Sequence, residues 1–327
     1  MAGTLRPGRP FVIKSSGFGG KRLPVSLIPE QLLNGLQLGL MLFLLAAGLT
    51  LVFGIMDMIN LAHGSLYMIG AYLAAALTEA SGSFLLGLAG AVVGTAVVGV
   101  ALEMTLLRRL YRRSHLAQVL ATFAVILIAN EIVRIIWGSQ PIMLNTPAVL
   151  SGPAELGAFR YPAYRLLVIG VGLAIALLLW LLVARTRAGM WVRAGASDRE
   201  MAEIMGVDTR TLFTLVFALG AALCAVAGAL LGPLLAVQVG MGENILILAF
   251  VVITIGGIGS IRGALLGSLL VGLVDTAGRA FLPFLFRQLF PATVASEAGP
   301  AVASMLIYML MAAVLYFRPT GLFPARG

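Results

Sequence analysis

From Gln31 onward the chain is a succession of long apolar runs separated by short polar connections. Windows long enough to cross a hydrocarbon core of about 30 Å, roughly 20 residues as helix, fall near 32–54, 55–78, 84–107, 116–137, 164–184, 212–234, 245–261, 263–282 and 299–317. Barrel strands would read as alternating segments of about ten residues, whereas these runs are apolar on every face. The pattern predicts an all-α fold, a polytopic transmembrane helical bundle of about 8–10 spans. It occupies 31–320, behind a basic N-terminal extension at 1–30.

Composition excludes a soluble alternative. Of 327 residues, 60% are hydrophobic and 11% charged, and mean hydropathy is +1.04, which a soluble domain of this size could not carry on its surface. The first apolar run lacks a small-residue cleavage site, so no removable signal peptide is predicted. Cys224, the single cysteine, leaves no internal disulfide and no cysteine-based metal site.

The basic residues predict orientation. "RRLYRRSH" (Arg108 to His115) and the segment from Arg185 to Arg210 are arginine-rich, while the connection 138–163 holds one acid and one base. By the positive-inside rule the first two are cytoplasmic and the third faces out. Counting spans forward places the C-terminus in the cytoplasm. Counting backward places the N-terminus outside, although residues 1–29 carry Arg6, Arg9, Lys14, Lys21 and Arg22 and no acid. Either the tail is an exception, or a broken element around Asp57 to Gly64 changes the parity.

Small residues four apart mark helix packing faces in lipid. Gly259, Gly263 and Gly267 form one such ladder, and Gly220, Cys224, Gly228 and Gly232 another. The loop at 185–211 is more specific. Ser197 followed by Glu200 reads as a capping box opening a short helix, on which Met201, Ile204 and Met205 share a face before Gly206 ends it in a left-handed conformation. Asp208 or Thr209 then caps the next span. An apolar stripe rimmed by Asp198, Arg199, Glu200 and Glu203 fits a groove on a partner protein, or lies in the headgroup region.

Three segments carry a family resemblance. "GLTLVFGIMDMINLAHGSLYMIGAY" is close to the membrane signature of the permease subunits of bacterial ATP-binding-cassette importers for branched-chain amino acids, of the LivH type. "RAGMWVRAGASDREMAEIMGVDTRTLFTLVFALGAALCAVAGALLG" resembles that family's ATPase-coupling loop and following helix, and "GGIGSIRGALLGSLLVG" with the terminal "RPTGLF" completes the match. Asp57, where Gly is usual, and Ser65, where an acid is frequent, depart from the pattern. The resemblance implies a passive gate in the bacterial inner membrane, multi-pass, partnered by two cytoplasmic ATPase subunits, a second related permease and a periplasmic or lipid-anchored substrate-binding protein. In that reading Ser197, Arg199, Glu200, Met201, Ile204, Met205 and Gly206 form the ATPase coupling element. No cofactor is expected in this chain, ATP and magnesium residing on the partner ATPases. The nearest approach to a phosphate loop, "SSGFGGKR" (Ser15 to Arg22), lacks the leading Gly and places Arg22 where Ser or Thr must hold magnesium. The chain is therefore expected not to be an enzyme, and no nucleic acid is expected among its partners.

Polar groups inside the apolar windows remain. Asp57, Asn60 and His63 recur at spacing three with Tyr67 following, and such groups are costly against lipid. They either line the translocation path or tie a break in the helix to neighbouring backbone. Glu131 with Arg134, and Asp275 with Arg279, stand at pairing distance on one helix face. If one of these acids carried protons, the chain would instead be an ion-coupled secondary transporter. Two histidines, His63 and His115, supply no metal cluster, and no acid or base accompanies a nucleophile, which disfavours a membrane-embedded enzyme. The cargo stays open among branched-chain amino acids, other hydrophobic amino acids, and urea or short amides.

Overall fold

The computed structural model describes residues 27–323 apart from 112, 157 and 158; all but the end of the basic extension lies outside that range. Among the described residues, helices stand at each of the nine predicted windows: α1 (Leu27–Met56), α2 (His63–Ser81), α3 (Phe84–Leu102), α4 (His115–Trp137), α5 (Ala163–Arg185), α8 (Thr209–Leu231), α9 (Met241–Gly256), α10 (Ile261–Leu289) and α11 (Ala292–Phe317). Two shorter helices, α6 (Arg187–Ser197) and α7 (Arg199–Ile204), fill the loop between α5 and α8. Seven of the described helices are long and apolar enough to cross a membrane. The other two begin inside the bundle: α2, which carries His63, Ser65 and Glu79, and α9, only 16 residues long.

The protein is thus an all-α, polytopic membrane bundle. Its centre is α1, which packs against α5, α8, α9 and α10; the side chains from Leu40 to Ala47 are at most 1% exposed. A helix without a polar face suits this position, because it can be enclosed on all sides. Lipid tails are as apolar as the helices, so association depends on close backbone approach. Gly272 of α10 meets α1 so closely that a Cβ there would lie 2.4 Å from the Gly39 nitrogen. The ladder of Gly220, Cys224 and Gly228 sets α8 against Gly48, His63, Tyr67 and Ala71. In the other predicted ladder Gly259 leaves the helix, standing in the α9–α10 turn with φ 80°; Gly263 and Gly267 pack on Gly256.

Two faces of the bundle differ in construction. On one, a hairpin of β1 (Pro153–Leu156) and β2 (Phe159–Pro162) is antiparallel, and Ile142 forms a bridge with Val237. Asn34 near the start of α1 accepts from the Tyr161 hydroxyl at 2.9 Å and from Arg165 at 2.6 Å. The start of α1 therefore lies on the hairpin face. On the other face, the ends of α1, α5, α9 and α11 converge with α6 around a common cavity. The chain enters α2 from that face, so the break at 57–62 leaves the parity of the spans unchanged.

Candidate functional site

The break between α1 and α2 is built from polar residues. Asp57 ends α1 with its amide donating to the Phe53 carbonyl at 3.0 Å and its φ at +49°, the left-handed region that non-glycine residues seldom occupy. Asn60 is fully buried, and its Oδ1 accepts from the Ala62 amide at 3.0 Å. This bond turns the chain into α2, as Asx side chains do in turns. His63 follows, completely buried, with Nε2 3.0 Å from the Cys224 sulfur. Gly48 and Gly220 leave the space for its ring: a Cβ on Gly48 would come within 2.9 Å of His63 Nε2. Tyr67 is buried one turn on, its carbonyl set against Gly228. Gly64 meets Gly242 so tightly that a Cβ on Gly242 would fall 2.1 Å from the Gly64 oxygen. Two helix starts, those of α2 and α9, therefore touch within the bundle.

Of the four polar candidates, Asp57 alone lines the cavity of about 1320 Å³ on the loop face, with Thr50, Phe53, Trp180, Arg193 and Arg262. Asn60, His63 and Tyr67 are enclosed by helices and occupy the break itself. The buried Asn60 Nδ2, Ser65 Oγ and Thr50 Oγ1 have no hydrogen-bond partner among the described residues.

The loop helix differs from its sequence reading at one end. Ser197 is the last residue of α6 and does not cap α7; the chain becomes extended at Asp198, φ −153° and ψ 106°, and it is the Asp198 carboxylate that accepts from the Met201 amide at 3.0 Å. The cap moves one residue on, to Asp198, because α6 continues through the serine, and with Met201 at the third helical position the motif is a simple N-cap and not a capping box. Glu200 lies exposed in the first turn of α7, where an acid complements the helix dipole. The other end agrees. Gly206 has φ +88°, its amide reaches the Glu203 carbonyl and that of Val207 the Ala202 carbonyl, closing a Schellman motif. Met201, Ile204 and Met205 are 54%, 78% and 77% exposed, while Ala202 on the opposite side is buried. Arg199 belongs to α7, but its side chain is outside the described residues. Asp208 caps α8 through the amides of Arg210 and Thr211. The Thr211 hydroxyl and amide hold its carboxyl below the usual carboxylate range.

Three polar contacts complete the picture. Glu131 and Arg134 pair at 3.0 Å, both about half exposed, and Arg279 reaches buried Asp275 at 2.9 Å. A third was not predicted. Beyond α3 the helix continues through a π turn at Glu103–Leu107, where completely buried Glu103 accepts from Arg108 at 3.1 Å, Tyr111 at 2.8 Å and Thr214 of α8 at 2.8 Å. The i,i+5 spacing of Glu103 and Arg108 pairs only because a π turn inserts an extra residue, so an α-helical reading misses it.

A family model described as branched-chain amino acid transport system / permease component matches residues 31–315. The chain belongs to this family. It is 31% identical over 307 residues to the high-affinity branched-chain amino acid transport system permease protein BraD of Pseudomonas aeruginosa, covering 90% of this chain and 94% of that one. It is 29% identical over 314 residues to the LivH permease protein of Escherichia coli K12, with the same coverage. A shorter stretch, 36% identical over 103 residues and 29% of either chain, resembles the fructose import permease protein FrcC of Rhizobium meliloti. No solved structure matches. The break, the loop helices and the α9–α10 turn all fall within the matched span of this permease.

Proposed function

We propose that this permease is the translocation subunit of an ATP-binding-cassette importer for branched-chain or other hydrophobic amino acids in the bacterial inner membrane. It works beside a second related permease, draws substrate from a periplasmic or lipid-anchored binding protein, and is driven by ATP and magnesium on two cytoplasmic ATPase subunits. The observation that carries this reading is α7. It is fixed at one end by Asp198 and at the other by Gly206, and it presents three apolar side chains on the loop face. An exposed apolar stripe on a helix stopped at both ends is a surface suited to a partner's groove. The arginine-rich loop at 185–210 supports a cytoplasmic position for that face and, with it, for the end of α11. The chain itself supplies the gate rather than the hydrolysis.

The cavity at the end of α1 then opens to the cytoplasm, and the break at 57–62 is where α1 and α2 change direction as the path opens. Co-purification followed by uptake tests this. In proteoliposomes holding the complete complex and binding protein, leucine uptake should require ATP and magnesium and be indifferent to a dissipated proton gradient. Uptake driven by the gradient without ATP would instead support an ion-coupled carrier using Glu131 or Asp275.

A further inference from the structure

The surface of a membrane bundle should be apolar wherever it meets hydrocarbon, and one part of this surface is not. The first turn of α9 carries Glu243 and Asn244, both exposed. That turn is not at the membrane edge. Its neighbour Gly242 is packed against Gly64, next to the His63 that meets Cys224, two turns inside the hairpin-face end of α8. At sixteen residues, about 24 Å of helix, α9 runs from this interior level to the loop face, so Glu243 starts it at depth.

The carboxylate is also positioned. Asn130 of α4 donates from Nδ2 to Glu243 Oε1 at 2.6 Å; among the described residues nothing else hydrogen-bonds the Glu243 side chain. One turn further toward the hairpin face on α4 stands Arg134, paired with Glu131, and both are exposed. Gln238, exposed in the connection before α9, continues the polar strip toward that face. Inward, the strip ends at Ile247, half exposed. A charged group held at this depth faces water or protein, because hydrocarbon strongly disfavours it.

We infer that Glu243, oriented by Asn130, lies on the wall of the translocation path and receives the ammonium group of the amino-acid cargo, with Ile247 as the apolar step beneath it. This rests on the importer reading above, in which the second permease closes the opposite wall. A carboxylate fixed by an amide on one oxygen keeps the other for a charge-assisted bond to a cation. The strip from Gln238 through Arg134 leads a zwitterion inward from the hairpin face, and urea or a short neutral amide would gain no charge pairing from Glu243.

The test has two readouts on the complete complex. In a Cys224→Ala background, Glu243→Cys should react with a charged, membrane-impermeant thiol reagent added from the hairpin side. Reaction only with lipid-soluble reagents would overturn the inference. In uptake at saturating binding protein, Glu243→Gln should slow leucine transport by about tenfold or more, the loss of one charge-assisted bond, while Glu243→Asp retains most of it. Wild-type rates in Glu243→Gln would overturn the role in recognition. Absence of ATP-driven uptake in the wild-type complex would count against the importer reading itself, and the thiol accessibility would still decide whether residue 243 faces water.

Discussion

Asp57 holds a left-handed backbone at the one point where α1 must stop, and that conformation costs an ordinary side chain about 1 kcal/mol. Asp57→Gly should therefore leave the purified permease as stable or slightly more so, and Asp57→Val should lower its stability by about 1–2 kcal/mol. Thermal unfolding in detergent measures both, and a destabilised glycine variant would show that the carboxylate, rather than the turn, holds the break. Gly242 allows no such latitude. Gly242→Ala drives a Cβ into the Gly64 backbone and should abolish accumulation of folded protein, whereas Cys224→Ala removes the sulfur that the buried His63 meets through Nε2 and its carbonyl, costs roughly 1–3 kcal/mol, and should fold. Asp208 adds a pH dependence of defined sign. Its carboxyl is held below its ordinary value, so its stabilisation of the start of α8 is complete at neutral pH. It is lost only as pH falls below the usual carboxylate range toward its folded value. Exchange of the amides of Arg210 and Thr211 at pH 7 and pH 5 should be equally protected, and loss of protection by pH 5 would contradict the cap.

At the scale of elements, the π turn after α3 joins two parts of the molecule that the linear sequence keeps apart. Glu103 ties the end of α3 to Thr214 of α8, the helix that leaves the α7 loop. Glu103→Ala removes the buried carboxylate that Arg108, Tyr111 and Thr214 share and should cost roughly 2 kcal/mol or more, as hydrogen bonds to a charged group do. Urea or thermal unfolding would register the loss, and unchanged stability would argue that the network is incidental. The long apolar helices were legible because period and length alone identify a span: α4, α5 and α8 begin and end within three residues of their sequence windows, the spread expected at helix ends. The starts of α2 and α9 were less so. The window 55–78 reads as one apolar run in which polar residues offer a break around Asp57 to Gly64, and the structure sets that break at 57–62, ahead of the helix that begins at His63. Apolar content cannot separate a helix that spans from one that starts midway. The cap falls on Asp198 and not on Ser197 for a related reason: serine and aspartate are adjacent, both cap helices, and the choice between them depends on where α6 ends.

For the whole molecule, contacts distant in sequence decide which polar groups act together. The residues at the α1–α2 break were conspicuous because they interrupt an apolar run, yet Cys224, the partner of His63, lies 161 residues away. The Asn130–Glu243 pair, 113 residues apart, left no local signal. The loop helix was legible by contrast, since Met201, Ile204, Met205 and Gly206 carry a short-range pattern that needs no tertiary context. Its role is where the account is most exposed to test. The decisive measurement is ATP-driven leucine uptake together with ATPase co-purification for Ile204→Asp, with Arg199→Ala as a milder rim control. Burying the Ile204 side chain in a partner's groove contributes roughly 25 cal/mol for each Å² removed from water. The account predicts that Ile204→Asp inserts normally and still docks the binding protein, but loses uptake or releases the ATPases. Full uptake with complete ATPase retention would contradict it, and would leave α7 as a helix lying at the membrane surface.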